Sequence, residues 1–169
     1  MTHIAFALGT NMGDRLAHLQ YAIERLCNHD GISVLAVSKV YETQPVGGPD
    51  QDNYLNAVVT AESTMSAREL LALCHEIENA RDRKREVRWG PRTLDVDLLV
   101  VGNEVSRDPT VIIPHPRAHE RAFVLTPWES IDPLCLIPGY GTVQECLQEV
   151  DSAGVWLSEL QIGQMRSDS

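Results

Sequence analysis

Leu94-Asp95-Val96-Asp97-Leu98-Leu99-Val100-Val101 is a short apolar run interrupted by two acids. Its length and its Leu and Val content predict a strand. Before it, Ser66 and Glu69 have the spacing of a capping box. Leu70, Leu73, Cys74 and Ile77 then form one apolar stripe, so a helix leads towards the run. Further upstream, Tyr54 to Glu62 and Ile32 to Tyr41 read as two strands. At the start, His3 to Leu8 is an apolar strand ending at the turn Gly9-Thr10-Asn11. Asp14 can cap the helix that follows, in which Leu16, Leu19, Ile23 and Leu26 share a face. The order β-α-β-β-α-β predicts an α+β fold, a ferredoxin-like core with an antiparallel sheet.

From Val111 the chain adds a C-terminal extension: a short strand, a turn at Pro114-His115-Pro116, and helical stretches. These stretches are Ala118 to Ser130, with a break expected at Pro127, and Thr142 to Val150. No repeat or low-complexity linker divides the chain, which predicts one domain over residues 1–160. The polar tail 161–169 is expected to fray. TQPVGGPDQDN, from Thr43 to Asn53, is dense in Pro, Gly, Asp and Gln and reads as a long exposed loop of the kind that carries function.

Composition narrows the function. With 169 residues, 43% of them hydrophobic, the chain can bury one core. Its apolar runs are too short to span a bilayer, and the N-terminus lacks the pattern of a signal peptide. Cys27, Cys74, Cys135 and Cys146 are scattered without a CxxC pair, which points to reduced thiols in a cytoplasmic protein rather than a metal or disulfide framework. A net charge of −10 argues against general nucleic-acid binding. Yet six of the 14 Lys and Arg residues fall in RDRKREVRWGPR, Arg81 to Arg92, against two acids, a local balance of +4. One concentrated basic segment on an acidic protein suits a small polyanion; a solvated charged loop is the plainer reading.

The chemistry gathers around this segment. Asp95 and Asp97 are two apart in a strand, so both carboxylates lie on one face, roughly 7 Å apart at Cα. Like charges at that range raise each other's pKa, so something positive should meet them. A hard divalent cation such as Mg²⁺ fits, held by carboxylates, waters and substrate phosphates. Neutralisation by Arg88 and Arg92 is the alternative. In RWGPR, Gly90-Pro91 sets a tight turn that aims Trp89 and Arg92. Arginine forks suit phosphate oxygens, and Trp89 offers a stacking face or else a core anchor. In PHPRAHERAF, His115 and Arg121 are candidate phosphate contacts. His115 and His119 are also spaced to share a transition metal if that stretch is helical. Neither a phosphate-binding GxxxxGK[ST] loop nor GxGxxG is present.

RWGPRTLDVDLL, Arg88 to Leu99, closely resembles the signature of the 6-hydroxymethyl-7,8-dihydropterin pyrophosphokinase family. ALGTNMGDR, YETQPVGGPDQDNYLNAV and IIPHPRAHERAFVL extend the resemblance over most of the chain. It implies diphosphate transfer from ATP to the pterin hydroxymethyl group in folate biosynthesis, releasing AMP. Asp95 and Asp97 are then ligands of two Mg²⁺ ions bridging the ATP phosphates. Arg83, Arg85, Arg92, His115 and Arg121 are phosphate contacts, with Arg83 and Arg85 on a mobile catalytic loop. Arg83, Arg85 and Arg92 join the two acids as catalytic groups. Glu78 and Trp89 complete the ATP site. Thr43, Pro45, Val46, Tyr54, Asn56 and Asp95 line the pterin pocket, and Trp89 and Phe123 sandwich the ring. With the short apolar runs and the net charge of −10, no membrane or nucleic-acid partner is expected, and a monomer is the expectation.

Two departures stand out. Thr10 replaces a frequent Ser, and Asp82 replaces a frequent Gly before the first loop arginine, which reduces backbone freedom and adds negative charge beside the phosphate ligands. Two other functions use the same residues: a metal-dependent phosphohydrolase, and a regulatory module that senses a nucleotide through its basic loop.

Overall fold

The computed structural model describes residues 1–44, 52–81 and 93–162. Six strands build the main sheet around a long central pair. β1 (Thr2–Thr10) and β4 (Tyr54–Ser63) run antiparallel from Thr2 opposite Ser63 to Thr10 opposite Leu55. On the other side of β1 lies β5 (Asp95–Val101), again antiparallel, with Gly9 opposite Asp95 and Ala7 opposite Asp97. β2 (Ile32–Val37) and β3 (Tyr41–Thr43) pair with opposite ends of β4. With these two taken as one broken strand, the order is the antiparallel arrangement of a ferredoxin-like core.

The sequence predicts one strand over Ile32 to Tyr41, and the break has a local cause. Ser38 leaves the regular ladder and bonds Val58 in two ways. Its N–H donates to the Val58 carbonyl at 2.9 Å, and its Oγ accepts from Val58 N–H at 2.9 Å.

Two helices cover one face. α1 (Arg15–Cys27) begins where Asp14 Oδ1 accepts from Ala17 N–H at 3.2 Å. α2 (Ala67–Arg81) begins with the expected capping box, Ser66 N–H donating to Glu69 Oε1 at 2.8 Å and Glu69 N–H to Ser66 Oγ at 3.1 Å. Leu19, Ile23 and Leu26 of α1 and Leu70, Leu73, Cys74 and Ile77 of α2 are buried against Ile4, Phe6, Leu8, Val96 and Leu98 of the sheet.

A hairpin of β6 (Ser106–Asp108) and β7 (Val111–Ile113) leads to the opposite face. There α3 (Ala122–Ile131), a hairpin of β8 (Leu136–Ile137) and β9 (Gly141–Thr142), and α4 (Val143–Gln148) pack on Ala5, Ala7, Val58, Leu99 and Val100. α3 runs through Pro127, and the helical stretch is broken instead at Arg121, which is extended (φ −105°, ψ 107°). An interior proline costs about 3 kcal/mol. Full burial of Leu125 and Trp128 and near-full burial of Val124 outweigh it, at about 1.5–3 kcal/mol per side chain.

The start of the tail is held more firmly than its polarity predicts. β10 (Val155–Leu157) pairs with β3, and Gln161, expected to fray, is pinned to Val40. Its Oε1 accepts from Val40 N–H at 2.8 Å, and its Nε2 donates to the Val40 carbonyl at 2.9 Å. Ile162 packs on the core, while residues 163–169 lie outside the described residues. Among the described residues, no helix is long and apolar enough to cross a membrane.

Candidate active site

Strand alternation decides what the α3 face can do. Val96 and Leu98 turn towards α1 and α2, so Asp95 and Asp97 turn towards α3. The residues opposite them on β1 are Gly9 and Ala7, too small to fill the space above the sheet. A cavity of about 580 Å³ opens there, lined by Asp95 and Asp97 on one side and by Thr43, Tyr54 and Asn56 on the other. Asn56 pairs with Gly9, which pairs with Asp95, so an amide, a bare backbone and an acid form one row across three strands. At the usual strand spacing the amide and the acid stand about 10 Å apart at Cα.

The row is held from several sides. Asn56 Nδ2 donates to Thr43 Oγ1 at 3.2 Å, both groups being buried. A methyl group built on Gly9 would meet Asn56 Oδ1 at 3.3 Å, so glycine permits this close approach. Thr10 donates its hydroxyl to the Thr93 carbonyl, tying the end of β1 to the entry of β5. Serine carries the same hydroxyl, so the Thr10 departure is conservative for this contact. Glu78, on the last turns of α2, is 9% exposed and accepts from Val96 N–H through Oε2 at 2.8 Å. The sequence assigns it to the nucleotide; here its carboxylate meets the backbone between the two acids and does not line the cavity.

The mouth is cationic and aromatic. Arg117, Glu120, Arg121 and Phe123 line it from the turn before α3 and its first residues. Phe123 is 36% exposed, and the Arg121 guanidinium lies 5.6 Å from its ring centre. Arg117 is paired with Glu120 at 2.8 Å. His115 sits behind this group, its Nδ1 accepting from Arg117 N–H at 3.1 Å. Burial, with Arg121 and Arg117 nearby, pushes its pKa down to about 4. Near neutrality the ring is therefore uncharged, and with Nδ1 accepting, its proton is on Nε2. His119 does not join His115 in a metal pair: Ala118–Glu120 is a single 3₁₀ turn, and the His119 ring stacks on Tyr140 at 3.7 Å.

The structure thus brings Asp95, Asp97, Thr43, Tyr54, Asn56, Arg121 and Phe123 to one cavity, with His115 beside it and Glu78 beneath. Pro45, Val46, Arg83, Arg85, Trp89 and Arg92 lie outside the described residues, as does Asp82. Sequence reasoning missed Ala7, Gly9, Arg117 and Glu120. Arg117 and Glu120 stand inside the PHPRAHERAF stretch, so their proximity to His115 and Arg121 was the available signal. No side chain of Ala7 or Gly9 could announce them.

Residues 5–133 match the model of the family described as 7,8-dihydro-6-hydroxymethylpterin-pyrophosphokinase. The chain is similar to 2-amino-4-hydroxy-6-hydroxymethyldihydropteridine pyrophosphokinases of two bacteria. With that of Bacillus subtilis it is 46% identical over 132 residues, covering 78% of this chain and 79% of the relative. With that of Methylorubrum extorquens it is 42% identical over 155 residues, covering 92% and 98%. Among solved structures, 88% of the chain superposes on an HPPK-DHPS crystallised with substrates, at a TM-score of 0.62 and 11% identity. A wild-type Plasmodium falciparum HPPK-DHPS gives a TM-score of 0.61 at 13% identity. These two likenesses support the fold alone, and the chain spans 43% of the length of each. An acid pair and an amide on one open sheet face, within a sequence this close to the bacterial enzymes, make the chain a member of the 7,8-dihydro-6-hydroxymethylpterin-pyrophosphokinase family, a pyrophosphate transferase of folate biosynthesis.

Proposed function

We propose that the chain moves the terminal diphosphate of ATP onto the hydroxymethyl group of 6-hydroxymethyl-7,8-dihydropterin, with AMP leaving, and that Asp95 and Asp97 hold two Mg²⁺ ions for this step. The observation that carries the reading is the row Asn56-Gly9-Asp95, which sets an amide and an acid on the floor of one cavity. Two half-buried carboxylates on a rigid strand are a hard-oxygen donor set, which suits Mg²⁺ with a polyphosphate completing its shell. When bound, Mg²⁺ neutralises phosphate charge and acidifies the attacking hydroxyl.

The protein's own groups divide the remaining work. With its Nδ2 turned to Thr43, Asn56 offers Oδ1 to an N–H of the heterocycle lying over Gly9. Tyr54 and Phe123 bound the ring, and Asp95 meets it at the far end of the row. Arg121 places a fixed positive charge at the mouth, where phosphate charge develops. Neutral His115, with its proton on Nε2, donates a hydrogen bond there without carrying charge of its own. Glu78 holds Val96 N–H and so fixes the strand between the two acids; its place in the ATP site rests on the sequence resemblance. Arg83, Arg85 and Arg92 as phosphate clamps, Trp89 on the ATP and across the ring from Phe123, and Pro45 and Val46 in the pterin pocket rest on the sequence resemblance. The reading takes residues 1–160 as one pyrophosphokinase domain, a cytoplasmic monomer that binds neither membrane nor nucleic acid.

One assay tests it. Protein, ATP, Mg²⁺ and 6-hydroxymethyl-7,8-dihydropterin should yield AMP only when the pterin is present. Phosphate release without pterin would instead support a phosphohydrolase, and ATP binding without AMP a regulatory module.

A further inference from the structure

At the other end of β1 from the cavity, three side chains of different chemistry converge. His3 Nε2 and Asp132 Oδ2 lie 2.7 Å apart, although 129 residues separate them. Cys135 completes the group, and the ligand atoms of all three lie within 4.8 Å of one another. The Cys135 thiol donates to the Leu136 carbonyl, with Sγ and O 3.9 Å apart. One carboxylate is thus flanked by a ring nitrogen and a sulfur, both of which bind metal once their protons leave.

The backbone beneath these side chains is fixed. The His3 carbonyl accepts from Gly102 N–H at 2.7 Å. Asp132 caps the C-terminus of α3, its N–H donating to the Trp128 carbonyl at 2.8 Å. Asp132-Pro133-Leu134-Cys135 is a turn closed by Cys135 N–H on the Asp132 carbonyl at 3.2 Å. The entry to α4 clamps this turn, with Val143 N–H on the Cys135 carbonyl at 2.8 Å and Gln144 N–H on the Pro133 carbonyl at 2.9 Å. A tight turn presenting two ligands three residues apart does what a CxxC turn does in zinc proteins, with aspartate in place of the first cysteine. That replacement hides it from a search for cysteine pairs.

We propose that His3, Asp132 and Cys135 form a metal site for a borderline-soft divalent ion of the Zn²⁺ class, pinning the start of β1 to the end of α3. Imidazole and thiolate select such ions over Mg²⁺, unlike the all-oxygen pair at Asp95 and Asp97. Tetrahedral bonds of about 2.0–2.3 Å place ligand atoms about 3.3–3.8 Å apart, within about 1 Å of the spacing here. On binding, the thiol proton passes to solvent, the imidazole proton moves from Nε2 to Nδ1, and the His3–Asp132 hydrogen bond is replaced by metal bonds. One aspartate, one thiolate and a neutral imidazole then balance the dication, with water as the fourth ligand. The His3 and Asp132 side chains are 36% and 22% exposed, so an ion enters from solvent. The site stands about 13 Å along β1 from Ala7, so it acts on stability and not on the reacting atoms.

The test uses the full chain, stripped with chelator and titrated with Co²⁺. A thiolate-to-Co²⁺ charge-transfer band in the near ultraviolet, saturating at one equivalent, is expected in the wild type and in Asp97→Ala. Cys135→Ser and, independently, His3→Ala should abolish the band or weaken its binding at least tenfold. Zn²⁺ should raise the melting temperature of the wild type by about 5 °C and leave that of Cys135→Ser unchanged. No band in the wild type, or a band that survives Cys135→Ser, overturns the proposal.

Discussion

The two faces of the sheet use the same strands to opposite ends. Towards α1 and α2, Ile4, Phe6, Leu8, Val96 and Leu98 form a continuous apolar surface that the helices close completely. Towards α3 and α4, the apolar surface stops at Ala7, and from there the floor is Gly9, Asn56 and two acids. In the first half of β5, Val96 and Leu98, which stiffen the molecule, alternate with Asp95 and Asp97, which serve the site. The site needs the packed face: two acids with Cα atoms about 7 Å apart keep that spacing because the residues between and after them are locked on the other side.

The open face depends most on Asp97. Asp97→Ala should lower kcat/KM by about 10³-fold or more, the loss of several kcal/mol of charge stabilisation. The fold should survive, since the change trims a half-buried side chain on the open face and leaves the packed layer intact. Pterin binding, followed by fluorescence quenching, should survive. A variant with near-normal turnover would remove the acids from the mechanism.

Leu98→Ala, next along the strand, should do the reverse. Leu98 is 3% exposed in the packed layer, and such truncations cost about 2–5 kcal/mol. Urea unfolding should show this loss, while kcat at low temperature stays within a few-fold of the wild type. A large fall in kcat with unchanged stability would mean that the two faces are not separable.

The smallest effect is set by pH and belongs to the open face. Unfolding returns His115 from a pKa of about 4 to its ordinary value near 6.5. Between these values the unfolded chain carries a proton that the native one lacks, so acidification favours unfolding. Stability should fall as pH drops from about 6.5 towards 4, and His115→Gln should flatten that slope in urea titrations. An unchanged slope would show that His115 is not held neutral.

What the sequence made legible follows the range of the interactions. α1 and α2 announce themselves because their caps and stripes are contacts within a few residues, and the acid pair because strand alternation is equally local. The break between β2 and β3 is silent because Ser38 makes its bonds to Val58 across the sheet. Pro127 misleads for the converse reason: a local penalty is overridden by the burial of Trp128, which no short window reveals. In the site, charged and aromatic members were legible as motifs. The sequence places Glu78 on the helix that leads to the basic segment, but its carboxylate meets a strand amide that only the fold brings to it. His3 and Asp132, 129 residues apart, lie beyond any spacing rule.

The bare backbone at Gly9 also bears on inhibition. A flat antifolate laid on this floor would rest on a surface that the gene has little freedom to redraw. Any replacement of Gly9 projects a side chain towards Asn56 Oδ1, at 3.3 Å for the first carbon alone, obstructing substrate and drug together. Resistance would then have to arise at the rim, where Arg117 and Phe123 are exposed, so compounds that keep to the floor should be the slowest to lose their effect.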